Sequence, residues 1–245
     1  MCCAITATAI GRLCDRSAMM IVSIHQPAYL PWLGYFDRIA KSDLFVCLDN
    51  VQFERNSFTN RNRIKTARGP TWLTVPVRLD GHFETTIADI EIDEMQNWRR
   101  KHLRSIEQNY SRTPNFDRKF EHLVTLYQDK TNRLADLCLN QLRFWLMELG
   151  VSTPVVRASE LPASGRKSEL VLELCQNAGA TTYLSGPLGR GYLEEDEFSK
   201  AGIAVKYHKF VHPTYPQLYG DFLPAMGVVD YWMNCDEPNV RKGSI

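Results

Sequence analysis

The sequence predicts an α/β protein built on a Rossmann-like, mainly parallel sheet flanked by helices, with a helical insertion at about residues 93–150. Three observations predict it. Short β-branched runs alternate with helical periodicity in strand, helix, strand order near the start of the chain, and the same rhythm returns after residue 153. Between them lies a long stretch with apolar residues at helical spacing. With 245 residues and 44% hydrophobic side chains, the chain can bury one sizeable core.

Residues 1–19 contain an apolar stretch with no positive charge before it, and read as a disordered extension or a misplaced start ahead of Met20. Residues 20–240 then read as one domain. Residues 21–24 form a buried strand ended by the prolines of His25-Gln26-Pro27-Ala28-Tyr29-Leu30-Pro31. Leu33, Phe36, Ile39 and Ala40 recur at helical spacing, and residues 44–48 make a second buried strand that delivers Asp49-Asn50 at its carboxyl end. Ligands in such βαβ units bind beyond the strand carboxyl ends.

Residues 56–65 are polar, basic and rich in asparagine, which argues for a loop, while 72–77 regains strand character and another strand is expected within 86–92. Three amphipathic helices follow at 98–110, 116–127 and 134–149, the last capped by Gly150. Strands at 154–156, 181–184 and 203–210 alternate with helices at 168–178 and 192–201.

Lys and Arg total 29 against 28 Asp and Glu, so no global field attracts nucleic acid or an anionic membrane, and an anionic substrate must be held by local charges. No apolar run approaches the roughly 20 residues of a membrane-spanning helix, so membrane insertion is not expected. The seven cysteines form no C-x-x-C pair and read as reduced thiols of a cytoplasmic protein.

Four segments carry groups suited to chemistry. In the first, His25, Gln26 and Tyr29 leave a strand where a loop must open, with Trp32 and Tyr35 as an aromatic wall. His25 can exchange a proton near neutral pH or donate to a phosphate oxygen; the plainer reading is a rigid turn. The second joins Asp49 and Gln52 to Asn60, Asn62 and Arg63: a strand-end carboxylate beside donors for phosphate or carboxylate, or else a solvated basic loop. The third, Ser185-Gly186-Pro187-Leu188-Gly189-Arg190-Gly191, resembles a phosphate loop without matching a known phosphate signature, and a tight turn is its rival reading. In the fourth, His212, Tyr215 and Gln217 line a pocket rim; Pro213 keeps His208 and His212 off one helix face, so no metal site is expected.

These residues resemble the WbqC-like family, whose members are often encoded among genes for bacterial surface-polysaccharide and O-antigen biosynthesis. The resemblance runs from Met20 to about Asn234. It rests on His25-Gln26-Pro27 through Gly34-Tyr35-Phe36, Asp49 to Phe53, Asn60-Arg61-Asn62 with Ile64-Lys65, Tyr183-Leu184-Ser185-Gly186, and His212-Pro213 through Tyr215-Pro216-Gln217. It implies a transferase acting on a nucleotide-linked amino sugar, moving an acyl or aminoacyl group, with aminoacyl-tRNA as one donor and the cofactor unspecified. In that reading His25 is the base, Asp49 orients the amine or hydroxyl, and Arg63 and Arg190 hold phosphates. The layout is also similar to nucleotidyltransferases with an H-x-G-H loop, although the second His is missing here and Tyr29 to Trp32 stands in its place. A nucleotidyltransferase-like enzyme and a non-catalytic nucleotide-sugar-binding protein are the alternatives.

Overall fold

The computed structural model describes residues 19–79 and 85–240; the segment expected to be an N-terminal extension lies outside them apart from Met19. Strand β1 (Ile21–His25) leads through the proline loop into helix α1 (Leu33–Ala40), and β2 (Leu44–Cys47) follows. Later come β7 (Val155–Arg157), α5 (Ser168–Asn177), β8 (Thr182–Ser185), α6 (Glu195–Lys200) and β9 (Ala204–Tyr207). The five strands pair in parallel in the order β7-β2-β1-β8-β9. Chain order therefore reverses between β1 and β8, the switch point beyond which a doubly wound sheet opens a crevice.

Strand alternation divides the core between the two faces of this sheet. Phe45 and Cys47 pack on one side with α1, α2 (Trp98–Tyr110), α3 (Phe116–Leu126), α4 (Leu134–Glu148) and α7 (Val228–Asn234). Val22, Ile24, Leu44, Val46 and Tyr183 pack on the other with α5 and Phe198. On the first side, Trp145 and Trp232 are fully buried and meet edge to face at 5.4 Å. Each such side chain contributes roughly 1.5–3 kcal/mol by leaving water.

Several elements differ from expectation. The loop expected at 56–65 contains a strand, β3 (Arg61–Thr66), paired antiparallel with β4 (Gly69–Thr74). Asparagine is tolerated there because its amide is used: Asn62 Nδ2 donates to Leu30 O at 2.7 Å and Oδ1 accepts from Arg63 N at 2.8 Å. The strand expected across 72–77 is split, with β4 ending at Thr74 and β5 (Val77–Arg78) resuming after Pro76, which has no amide hydrogen to give. Thr86 Oγ1 donates to Asp89 Oδ2 at 2.7 Å and closes a 3₁₀ turn over Ile87–Asp89, leaving only β6 (Glu91–Ile92) as strand. Residues 228–234 form a further helix, α7.

Candidate functional site

The register marks the switch point. Strand β1 stays paired with β2 through His25↔Cys47, and β8 stays paired with β9 through Ser185↔Tyr207, but β1 meets β8 only at Ile21↔Thr182 and Val22↔Tyr183. The two central strands thus part toward their carboxyl ends. Following that register four residues further sets Gly186 across from His25, with both on the face covered by α1.

His25 closes one wall. Its Nδ1 lies 2.9 Å from the Gln26 carbonyl oxygen, which also accepts from Tyr35 Oη at 3.2 Å, and Tyr35 meets the imidazole edge-on at 5.0 Å. A carbonyl can only accept, so Nδ1 carries the proton and Nε2 carries a lone pair. The ring is reached by solvent although protein surrounds it, the situation of a group in a recess. Burial first, and then the charge of Arg38, lower its pKa from 6.5 to about 3. An imidazole lowered in this direction is neutral at pH 7.

Arg38, a residue the sequence reading passed over, faces the same crevice. It is 6% exposed on α1, its Nε is buried without a partner, and its Nη1 lies so close to Gly186 that a Cβ there would sit 2.4 Å away. Ser185, 1% exposed, ends β8 and directs its hydroxyl to Gly186 O at 3.1 Å. His25, Tyr35 and Gly186 therefore lie near one guanidinium.

The remaining expected residues lie elsewhere or are engaged. Asp49 is 1% exposed; Oδ2 accepts from Arg157 Nε at 2.6 Å and Ser159 Oγ at 2.9 Å, and Oδ1 accepts from Ser159 N at 2.9 Å. Both oxygens are spent tying β2 to the end of β7. Tyr29 is fully buried, in a chain with Tyr127 Oη at 2.5 Å and His102 Nδ1 at 2.8 Å. Asn60 Nδ2 donates to Val75 O at 2.9 Å, and Asn62 holds Leu30 as described, so both shape backbone. Arg63 stacks 5.5 Å over Trp72 on the β3–β4 hairpin, Arg190 lies 3.9 Å over Tyr207, and exposed Gln52 bridges to Thr86.

Trp32 is 38% exposed and stacks with His212 at 6.3 Å, which joins the first and fourth segments. Both imidazole nitrogens of His212 are occupied: Nδ1 faces Pro213 O at 2.9 Å and Nε2 accepts from Ala225 N at 3.0 Å. Tyr215 and Gln217 belong to a buried network around Asp230, donating to its Oδ2 at 2.8 and 2.6 Å, while Tyr110 donates to Oδ1 at 2.7 Å. Lys65 donates to Gln217 Oε1 at 3.2 Å and anchors that network to β3. A separate hollow of about 370 Å³ is lined by Lys119, Glu148 and Trp232. These three are paired with one another: Lys119 donates to Trp232 O at 2.8 Å, and Trp232 Nε1 to Glu148 at 3.0 Å. Burial pushes the thiols of Cys47, Cys138 and Cys175 upward, away from the thiolate a nucleophile needs.

The family model described as the WbqC-like protein family matches residues 26–242, a span that begins just after His25 and includes Arg38, Ser185 and Gly186. The chain belongs to the WbqC-like protein family. This WbqC-like chain is also 36% identical over 218 residues to "Uncharacterized protein Rv1507c" of Mycobacterium tuberculosis (strain ATCC 25618 / H37Rv), covering 88% of this chain and 94% of that one. No solved structure matches it. No helix among the described residues of the WbqC-like chain is long and apolar enough to cross a membrane.

Proposed function

We propose that this chain is a transferase acting on a nucleotide-linked amino sugar for a surface polysaccharide, moving an acyl or aminoacyl group onto the sugar amine with His25 as general base. One observation carries the reading: a neutral imidazole at the switch-point crevice whose Nδ1 proton is committed to Gln26 O, so that Nε2 presents a lone pair. Resemblance to a family whose members are often encoded among polysaccharide genes supports the polysaccharide setting, and the neighbouring Arg38 supports an anionic carrier.

In the proposed step the amine nitrogen bonds to the acyl carbon, the bond from that carbon to the donor's leaving atom breaks, and the amine proton passes to Nε2. Arg38 disfavours the imidazolium that results, so a free crevice makes His25 a weak base. An anionic substrate beside Arg38 offsets that charge and raises the basicity of His25 when it is needed. Asp49 takes the role of a positioning residue through Arg157 and Ser159. Arg63 and Arg190 make ring contacts with Trp72 and Tyr207, and this reading gives their expected phosphate roles to Arg38.

The test is mass spectrometry of the purified chain incubated with nucleotide-linked amino sugars and acyl or aminoacyl-tRNA donors. A defined mass gain on the sugar is expected, and His25→Ala should lower turnover about 10²-fold or more. Near-wild-type turnover in His25→Ala removes the base. Ligand recovered unchanged from every donor favours a non-catalytic binding protein, and pyrophosphate release from a nucleoside triphosphate favours the nucleotidyltransferase-like alternative.

A further inference from the structure

We infer that Arg38 is the anchor for the phosphate of a nucleotide-bearing ligand, held in the crevice between β1 and β8 opposite Gly186. This rests on the crevice being the site proposed above. Among the described residues seven charged Asp, Arg and Lys side chains are buried: Asp37, Arg38, Lys41, Asp49, Lys65, Lys119 and Asp230. Six have partners. Asp37 is bonded by Lys41 Nζ at 2.8 Å and His208 Nε2 at 2.5 Å, Asp49 by Arg157 and Ser159, and Asp230 by Tyr110, Tyr215 and Gln217. Lys65 donates to Asp221 O at 2.6 Å, and Lys119 to Trp232 O at 2.8 Å.

Arg38 is the exception. Among the described residues no side-chain hydrogen bond or ion pair holds its guanidinium, and Nε is enclosed with no acceptor. Asp37, its neighbour in sequence, is already committed to His208 and Lys41. The phenols of Tyr35, Tyr183 and Tyr192 nearby are pushed upward in pKa, chiefly by burial, so none supplies a phenolate. An uncompensated buried cation costs several kcal/mol, and a fold that keeps one holds a place for an anion. The planar fork of arginine matches phosphate oxygens in pairs.

Gly186 supplies the room. Its backbone, at φ −70 and ψ 166, is open to any residue, so what a side chain there would meet is Arg38 Nη1 and not backbone strain. The absence of a Cβ leaves the guanidinium seated at the crevice floor beside His25.

Calorimetry and thermal unfolding of the full chain with inorganic pyrophosphate, UDP or sodium acetate test this. Wild type should bind pyrophosphate and UDP and be stabilised by them, with acetate inert. Arg38→Met should weaken both ligands about 10- to 100-fold, since hydrogen bonds to charged groups contribute ~1.5–3 kcal/mol. Without ligand it should unfold no earlier than wild type, because a lone buried charge has been removed. Gly186→Ala keeps Arg38 but displaces it, and should lose the same affinity. Wild-type affinity for pyrophosphate in either variant overturns the assignment, and so does binding of acetate alone. The readout needs no donor and no turnover: transfer that persists while Arg38→Met binds UDP normally defeats only this inference, and Arg38-dependent UDP binding without transfer defeats only the reading above.

Discussion

His102 should make the fold acid-labile by a calculable amount. It is 5% exposed on α2, and its Nδ1 lies 2.8 Å from Tyr29 Oη, which lies 2.5 Å from Tyr127 Oη. The ring also bonds the Thr74 backbone. These contacts are mutually consistent for a neutral ring: Nε2–H donates to the Thr74 carbonyl, and the Tyr127 hydroxyl donates to Tyr29, which donates to Nδ1. Protonating Nδ1 turns an acceptor into a donor and leaves the chain of hydroxyls pointing the wrong way. Burial accordingly lowers the His102 pKa from 6.5 to about 4.

The native state binds the proton less well than the unfolded chain, so the stabilisation is complete above pH 6.5 and is lost as the pH falls toward 4. At 1.36 kcal/mol per pH unit the loss by pH 4 amounts to about 3 kcal/mol. The assay is urea unfolding followed by tryptophan fluorescence at a series of pH values, comparing wild type with His102→Gln. Glutamine can accept from Tyr29 and donate to Thr74 but does not titrate. Its stability gap to wild type should narrow by about 3 kcal/mol between pH 7 and pH 4. A gap that stays constant within about 0.5 kcal/mol would refute the reasoning, and subtraction removes the like-signed contribution of His25.

Asp49→Ala should cost about 3 kcal/mol of unfolding free energy, the low end for removing one partner of a buried ion pair, because Arg157 keeps Asp136 at 2.5 Å; a urea-derived loss under about 1 kcal/mol would show that the tie between β2 and β7 is dispensable. Gly34→Ala places a Cβ 2.3 Å from the Trp32 ring. The clash, about 1–3 kcal/mol, should exceed the helix-propensity gain of about 1 kcal/mol and change the near-ultraviolet circular dichroism as Trp32 leaves His212. A net rise in thermal midpoint would contradict it.

The parallel sheet was legible because its strands are short apolar runs set between helical periods, a pattern that survives without any knowledge of partners. Strand β3 was not, since Arg61-Asn62-Arg63-Ile64-Lys65-Thr66 reads as a polar loop until Asn62 is seen spending its amide on Leu30 and Arg63. Sequence position singled out His25, Ser185 and Gly186, and the structure keeps them at or just past strand ends. Asp49, Tyr29 and His212 looked equally eligible, and only their partners show them occupied within the fold. Arg38 sat unnoticed because one arginine in a helix normally faces water. A usable signal existed: α1 is eight residues long and wedged between two strands, and all eight of its residues are buried.

The parting of β1 and β8 also bears on how the protein is made. Met20 and Thr181, which bond where the two strands begin to pair, are 161 residues apart. At roughly 5–20 residues per second of synthesis, β1 waits on the order of ten to thirty seconds for β8. Throughout that interval the edge bearing Val22 and Ile24 is an open template for a neighbouring chain. A crevice at the seam therefore cannot form on the ribosome until β8 has been made, and any message truncated before β8 yields a protein with a sticky half-sheet in its place.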